Sequence, residues 1–275
     1  MTGSGYVTRP IDRWRRGTIL RVDDCVAEEV PLAMVYNGVS FAVMMATPCD
    51  LQDFALGFSL SEGLIGQSGD LLSIEIQSLL EGIEIRMQVA SNAHGAHLDQ
   101  QPGRILPGRS GCGICGTRQL EQAIRQHPAV GTGAHVTHAA IESALVDLQE
   151  QQPMNAATGA VHAAAWADAE GQILLVREDV GRHNALDKLI GAMRRADADV
   201  GNGFALLTSR ASYEMVTKAT SAGITILAAI SAPTALAIEM ARGAGLTLIG
   251  FARPGRHNIY THPHRLLPEP QQELT

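Results

Sequence analysis

Two apolar runs, Leu32–Tyr36 and Val39–Met45, flank Asn37-Gly38, the dipeptide that suits the two-residue turn of a β-hairpin. Thr47-Pro48-Cys49-Asp50 then opens a helix, with Asp50 as N-cap and Leu51, Phe54, Ala55 and Phe58 recurring at helical spacing until Glu62-Gly63. Ser73–Gln77 and Ile83–Val89 alternate with period two around Glu81-Gly82, which predicts a second hairpin. Thr18–Val22 alternates weakly and predicts a first strand. The early part of the chain therefore predicts a small α+β subdomain, residues 18–108, behind a disordered lead-in over residues 1–17.

The texture changes after a polar run, Ser91–Ser110, that holds little to pack. Thr117–Gln126 and Thr137–Gln151 predict helices, and Val161–Trp166 pairs with Gln172–Arg177 across a turn. Strands at Phe204–Thr208, Ile224–Ile230 and Leu246–Phe251 then alternate with helices at Asn184–Arg195, Ser212–Ala222 and Thr234–Gly243. Short apolar strands alternating with helices predict a mixed, largely parallel α/β sheet covered on both faces, over residues 109–275. The tail after Pro263 is rich in Pro, Gln and Glu and is expected to fray.

Composition narrows the classes. The 275 residues can bury a full core, which an aromatic content of only 4% leaves to Ala, Val, Ile and Leu. A net charge of −7 argues against nucleic-acid binding through a globally basic surface. No apolar run is long enough to span a bilayer, and Met1–Arg16 lacks the apolar stretch of a signal peptide. Four cysteines in a chain of this size do not make a disulfide framework, so a cytoplasmic, reducing location is expected. Cys25 and Cys49 are expected to be buried free thiols.

Ligands of parallel sheets bind beyond the carboxyl ends of the strands. Four such ends lead into Glu178–Asn184, Ser209–Ser212, Ser231–Thr234 and Ala252–Asn258. If the strands are parallel, one rim carries Arg182, His183, Arg210, Arg253, Arg256 and His257 beside small hydroxyl residues at helix starts. Guanidinium groups and helix N-termini suit an anionic, phosphate-bearing ligand. Against this stand simpler roles: Ser212 and Thr234 as caps, and Asp179 paired with Arg182.

Gly111-Cys112-Gly113-Ile114-Cys115-Gly116 carries the remaining chemistry. A structural zinc site wants four ligands, and only a mixed set with His94 and His97 is near in sequence. The zinc-deaminase signature is missing, because Ala163 and Ala164 follow His162 and the CxxC precedes it. A redox pair and a persulfide-carrying sulfur donor both remain, and spacing alone does not choose between them.

These segments together resemble the FdhD family. The hallmark stretches are Ser110–Gly116 and Glu178–Lys188. Pro48–Leu51 with Phe54–Phe58, Thr158–Ala164, Ser231–Thr234 and Tyr260–Pro263 match as well. The resemblance implies a cytidine-deaminase-like α/β domain behind a smaller N-terminal subdomain, as a homodimer. It implies a sulfurtransferase: a cysteine desulfurase loads sulfur as a persulfide on Cys112, with Cys115 as its partner. The sulfur then passes to the molybdenum of the bis-molybdopterin guanine dinucleotide cofactor before insertion into the formate dehydrogenase apoprotein. Phe251, Ala252, Arg253, Pro254, Gly255 and Arg256 match the segment that binds the guanine dinucleotide. Arg182, His183, Arg210 and Ser231 are expected to share the site. Pro254 departs from the more flexible residue common there and stiffens the loop. The competing expectations are a cofactor-holding scaffold and a CxxC thiol oxidoreductase.

Overall fold

A computed structural model describes residues 4–100 and 129–268. The four-stranded sheet of the N-terminal part has the order β4-β3-β6-β5. Its strands are β3 (Val30–Tyr36), β4 (Val39–Ala46), β5 (Leu71–Ser78) and β6 (Ile83–Val89). Asn37 and Gly38 both take positive φ, 48° and 85°, as the two-residue turn requires. Helix α1 (Leu51–Ser61) lies on this sheet, where Phe54 and Phe58 join Leu32, Met34, Ile85 and Met87 in one core. Asp50 precedes the helix at φ 52° without capping it through its side chain, which sits 3.9 Å from Arg177 instead.

The N-terminal residues differ from the expected lead-in. β1 (Tyr6–Arg15) pairs antiparallel with β2 (Thr18–Ala27) along its whole length, forming a separate two-stranded sheet. Apolar residues on this ribbon are interleaved with charges, so hydrophobic periodicity was weak evidence there, and the pairing supplies what the pattern lacks. The polar run also packs more than expected: Ala93 and Leu98 are buried in the N-terminal core.

The larger sheet has the order β13-β12-β11-β10-β8-β9. It contains β8 (His162–Asp168), β9 (Ile173–Asp179), β10 (Gly203–Leu207), β11 (Ile226–Ala229), β12 (Thr247–Arg253) and β13 (Arg256–Ile259). β10, β11 and β12 are mutually parallel, whereas β8 is antiparallel to both β9 and β10, so β9 points the same way as those three. β13, absent from the expected elements, turns back antiparallel on β12.

Period-two alternation divides the strands between two cores. Ala164, Trp166, Ala205, Leu207, Leu227, Ala229 and Leu248 face α4 (Arg182–Arg195), α5 (Tyr213–Ser221) and α6 (Ala235–Ala244). Ala163, Ala165, Phe204, Leu206, Ile226, Ala228 and Ile249 face α2 (His138–Glu150) on the other side. A short helix, α3 (Pro153–Thr158), precedes β8. The segment after Pro263 does not fray at once. β14 (Leu266–Leu267) pairs with β7 (Val136–Thr137), and buried Arg265 donates to the carbonyls of Gly131, Thr132 and Gly245.

Candidate anion-binding site

The common direction of β9, β10, β11 and β12 brings their carboxyl ends to one edge, and the loops beyond them touch. Ala211 and Pro233 form a parallel bridge between the loops after β10 and β11. Thr234 N–H donates to the Ala211 carbonyl at 3.1 Å, and Phe251 N–H to the Ser231 carbonyl at 3.1 Å. A side chain at Gly250 would meet Pro233, so the residue there has to be glycine. The β9 end joins through His183, whose Nε2 is 2.9 Å from Glu214 Oε2 at the start of α5.

On this edge Arg210, Arg253 and Arg256 are exposed, and Arg182 is half-buried with its Nε unpartnered among the described residues. Phe251 sits at a bulge with φ 52°, a strained value for an aromatic residue, and stays 39% exposed. The ring is thus exposed on the same edge as the arginines. Pro254 and Gly255 form the exposed turn, Gly255 at φ 79°. Ser231 is half-buried. Two of the expected residues do not face the edge: Ala252 is fully buried in the core under α2, and His183 points inward to Glu214. His162 pairs in register with Asp179. Its pKa is held below the ordinary imidazole range by burial, then by the charges of Arg182 and His183.

Thr234 does cap α6, accepting from Ala237 N–H at 3.2 Å; Ser212 occupies the corresponding place before α5 without capping through its side chain. Cys112 and Cys115 lie outside the described residues, as does the helix expected at Thr117–Gln126.

The other hallmark stretch, Glu178–Lys188, plays a part that reading it as strand-end chemistry missed. Asp179 and Lys188 are both fully buried and 2.7 Å apart. The expected pairing of Asp179 with Arg182 is replaced by this one. Asp179 also accepts from the backbone N–H groups of Thr47 and Gly181 and from Asn184 Nδ2. Lys188 donates to the Thr47 carbonyl at 3.0 Å, Asn184 Nδ2 to the Met45 carbonyl at 2.8 Å, and Val180 N–H to Thr47 Oγ1 at 3.1 Å. Glu178 accepts from the N–H groups of Met154 and Asn155 at the start of α3. Burial pushes its pKa up, against those bonds.

Immediately before Lys188 on α4, Asp187 accepts from Ser61 and from Lys218, which also reaches Glu62. Burial pulls the Lys218 pKa down, but Asp187 and Glu62 more than reverse it, so the ammonium stays charged. Gly57 of α1 and Gly191 of α4 let the helices touch: a Cβ on either would collide with the backbone of Asp187 or Asp53. The motif is thus the seam between the subdomains. A clue was in the sequence: Asp187, Lys188 and Lys218 are charges on helices that otherwise read as core.

Cys49 is not fully buried as expected. Its Sγ lies 3.6 Å from Lys188 Nζ at the margin of the seam, and burial raises its pKa despite the ammonium. Cys25 is likewise only partly buried, on the ribbon.

Comparison with known proteins fits this architecture. The chain is 55% identical over 262 residues to the sulfur carrier protein FdhD of Xanthomonas euvesicatoria pv. vesicatoria, covering 95% of this chain and 92% of that one. It is 52% identical over 261 residues to the sulfur carrier protein FdhD of Cupriavidus necator, covering 95% and 90%. A crystal structure described as that of a formate dehydrogenase accessory protein from Desulfotalea psychrophila superimposes with a TM-score of 0.75 at 25% identity, covering 95% of this chain and 99% of that one. A family model matches residues 27–267, from the end of the ribbon to β14, and by that match the chain belongs to the FdhD/NarQ family.

Proposed function

We propose that this protein is a sulfur carrier that serves formate dehydrogenase. In this reading a cysteine desulfurase delivers sulfur to Cys112. The Cys112 thiolate attacks the terminal sulfur of the donor's persulfide, the donor's S–S bond breaks, and the donor leaves as a thiolate. Cys115 assists as the neighbouring thiol. The carried sulfur then goes to the molybdenum of the bis-molybdopterin guanine dinucleotide cofactor, which is the substrate, before that cofactor enters the formate dehydrogenase apoprotein.

The observation that carries this reading is the rim. Exposed Arg210, Arg253 and Arg256, the strained Phe251 face and helix starts from three loops stand together on one edge of an otherwise acidic protein. Guanidinium groups donate paired N–H bonds to phosphate oxygens, and an exposed aromatic ring offers a guanine base a surface to stack on. The relatives' shared description as sulfur carriers supports the first half of the reaction.

Intact mass spectrometry after incubation with a cysteine desulfurase and cysteine tests the carrier chemistry. The expected result is a reducible gain of about 32 Da per sulfur atom, lost in Cys112→Ala. No adduct with both thiols free would favour a cofactor-holding scaffold. A loss of two hydrogens without added sulfur would favour a thiol oxidoreductase.

A further inference from the structure

Among the described residues, the turn that displays Arg253 and Arg256 is fastened to the first turns of α2 at two points. Gly255 N–H donates to Glu142 Oε1 at 2.9 Å. His138 Nδ1 and His257 Nε2 are 2.7 Å apart, with ring planes only 19° from parallel. His138 has no part in the functional reading above, and His257 enters it only by its place in the sequence of the rim.

The protonation of this pair is constrained by an atom beside it. His257 Nδ1 is buried and has no partner among the described residues. One neutral arrangement leaves that nitrogen without a hydrogen: His257 Nε2–H donates to His138 Nδ1. A proton added to either ring removes this option. If His257 is charged, both of its nitrogens carry hydrogens. If His138 is charged, its Nδ1 becomes a donor, so His257 Nε2 must accept and the hydrogen of His257 moves to Nδ1. Both cases bury an N–H with no acceptor among the described residues, which adds the cost of an unmade hydrogen bond. The charged groups acting on His257 from α2 are His138, which disfavours its protonation, and Glu142, which favours it. Burial, reinforced by His138, outweighs Glu142 and holds its pKa below the ordinary range. On its own hairpin Arg253 and Arg256 are its charged neighbours in sequence.

We propose that His138 and Glu142 are positioning residues of the anion site: the neutral His138–His257 pair latches the β12–β13 turn, so Arg253 and Arg256 are held in place only while the pair carries no additional proton. This rests on the rim being the site for a phosphate-bearing ligand. Acidification breaks the latch and frees the turn. A polyanion that uses both arginines then meets a site that has to be ordered on binding.

The latch itself is tested without ligand, by following the Gly255 amide in ¹H–¹⁵N spectra of the whole protein from pH 8 to about 5, above the carboxylate range. The expected result is a shift of that resonance with a midpoint below the ordinary histidine value. In His138→Phe the resonance sits near its acid position throughout and no longer follows the same curve. A wild-type resonance that does not move, or the same titration persisting in His138→Phe, would overturn the latch. Guanosine diphosphate binding, measured by calorimetry at pH 7.5 and 5.5, tests the consequence. Affinity falls about two- to tenfold in His138→Phe or Glu142→Leu at pH 7.5 with unchanged melting temperature, and the wild type falls to the variants' level at pH 5.5. Equal affinities at both pH values would overturn it. If no variant or pH gives any binding, the rim reading fails, while the Gly255 titration still judges the latch.

Discussion

Two stretches of this chain look alike as sequence and differ as structure. Glu178–Lys188 and Phe251–His257 each span the end of a β-strand, and each mixes arginine, histidine, glycine and asparagine or proline. The first turns inward: Asp179, Asn184, Asp187 and Lys188 are buried and spend their hydrogen bonds on residues 45–61 of the other subdomain. The second turns outward, with Arg253, Pro254, Gly255 and Arg256 all exposed. A charged motif at a strand end is therefore evidence of chemistry only once its side chains are known to face solvent. Buried charges must be paired, so the inward motif is rich in charge for structural reasons.

The largest expected effect comes from unpairing the seam. Lys188→Met leaves Asp179 charged and buried, costing about 3–5 kcal/mol in chemical denaturation. Adding Asp179→Asn recovers part of that loss, because no uncompensated charge remains. If the single variant were as stable as the wild type, the seam would not be what joins the subdomains. Next is the helix crossing: Gly191→Ala forces α4 away from Asp53 and should cost about 1–3 kcal/mol. Both changes are expected to lower guanosine diphosphate affinity only as far as they unfold the protein.

A smaller effect, about 1 kcal/mol in thermal unfolding, is expected from Thr234→Ala, which removes the hydroxyl cap of α6. Smaller still is the acid response. His162 and His257 both have depressed pKa values in the fold, so each favours the folded state above the ordinary value of 6.5 and loses that contribution as pH falls toward the folded value. Melting temperature measured from pH 8 to 5 should decline in the acid half of that range, and less steeply in His257→Phe.

Much of the fold was legible because its signals are local. Asn37-Gly38 set one hairpin, and the alternation in β8, β10, β11 and β12 set a sheet covered on both faces. The shared rim followed from strand direction, and β8, though reversed, leaves β9 pointing with the others. β1 and the return strand β13 were missed, and β2 was foreseen only over Thr18–Val22, because neither the ribbon nor β13 buries a continuous apolar face. Their strands are set by pairing rather than by core burial, and pairing leaves little trace in hydrophobic periodicity. Within the site, the exposed arginines were legible from position alone. The inward course of His183 and Ala252 was not, since it depends on Glu214 and on the core beneath α2.

The division between seam and rim is tested most directly by titrating guanosine diphosphate into Arg253→Ala/Arg256→Ala beside the wild type, with both melting curves recorded. The account predicts affinity reduced at least about tenfold, from the loss of charge-assisted bonds, with the melting temperature unchanged. Undiminished affinity in the double variant would contradict it.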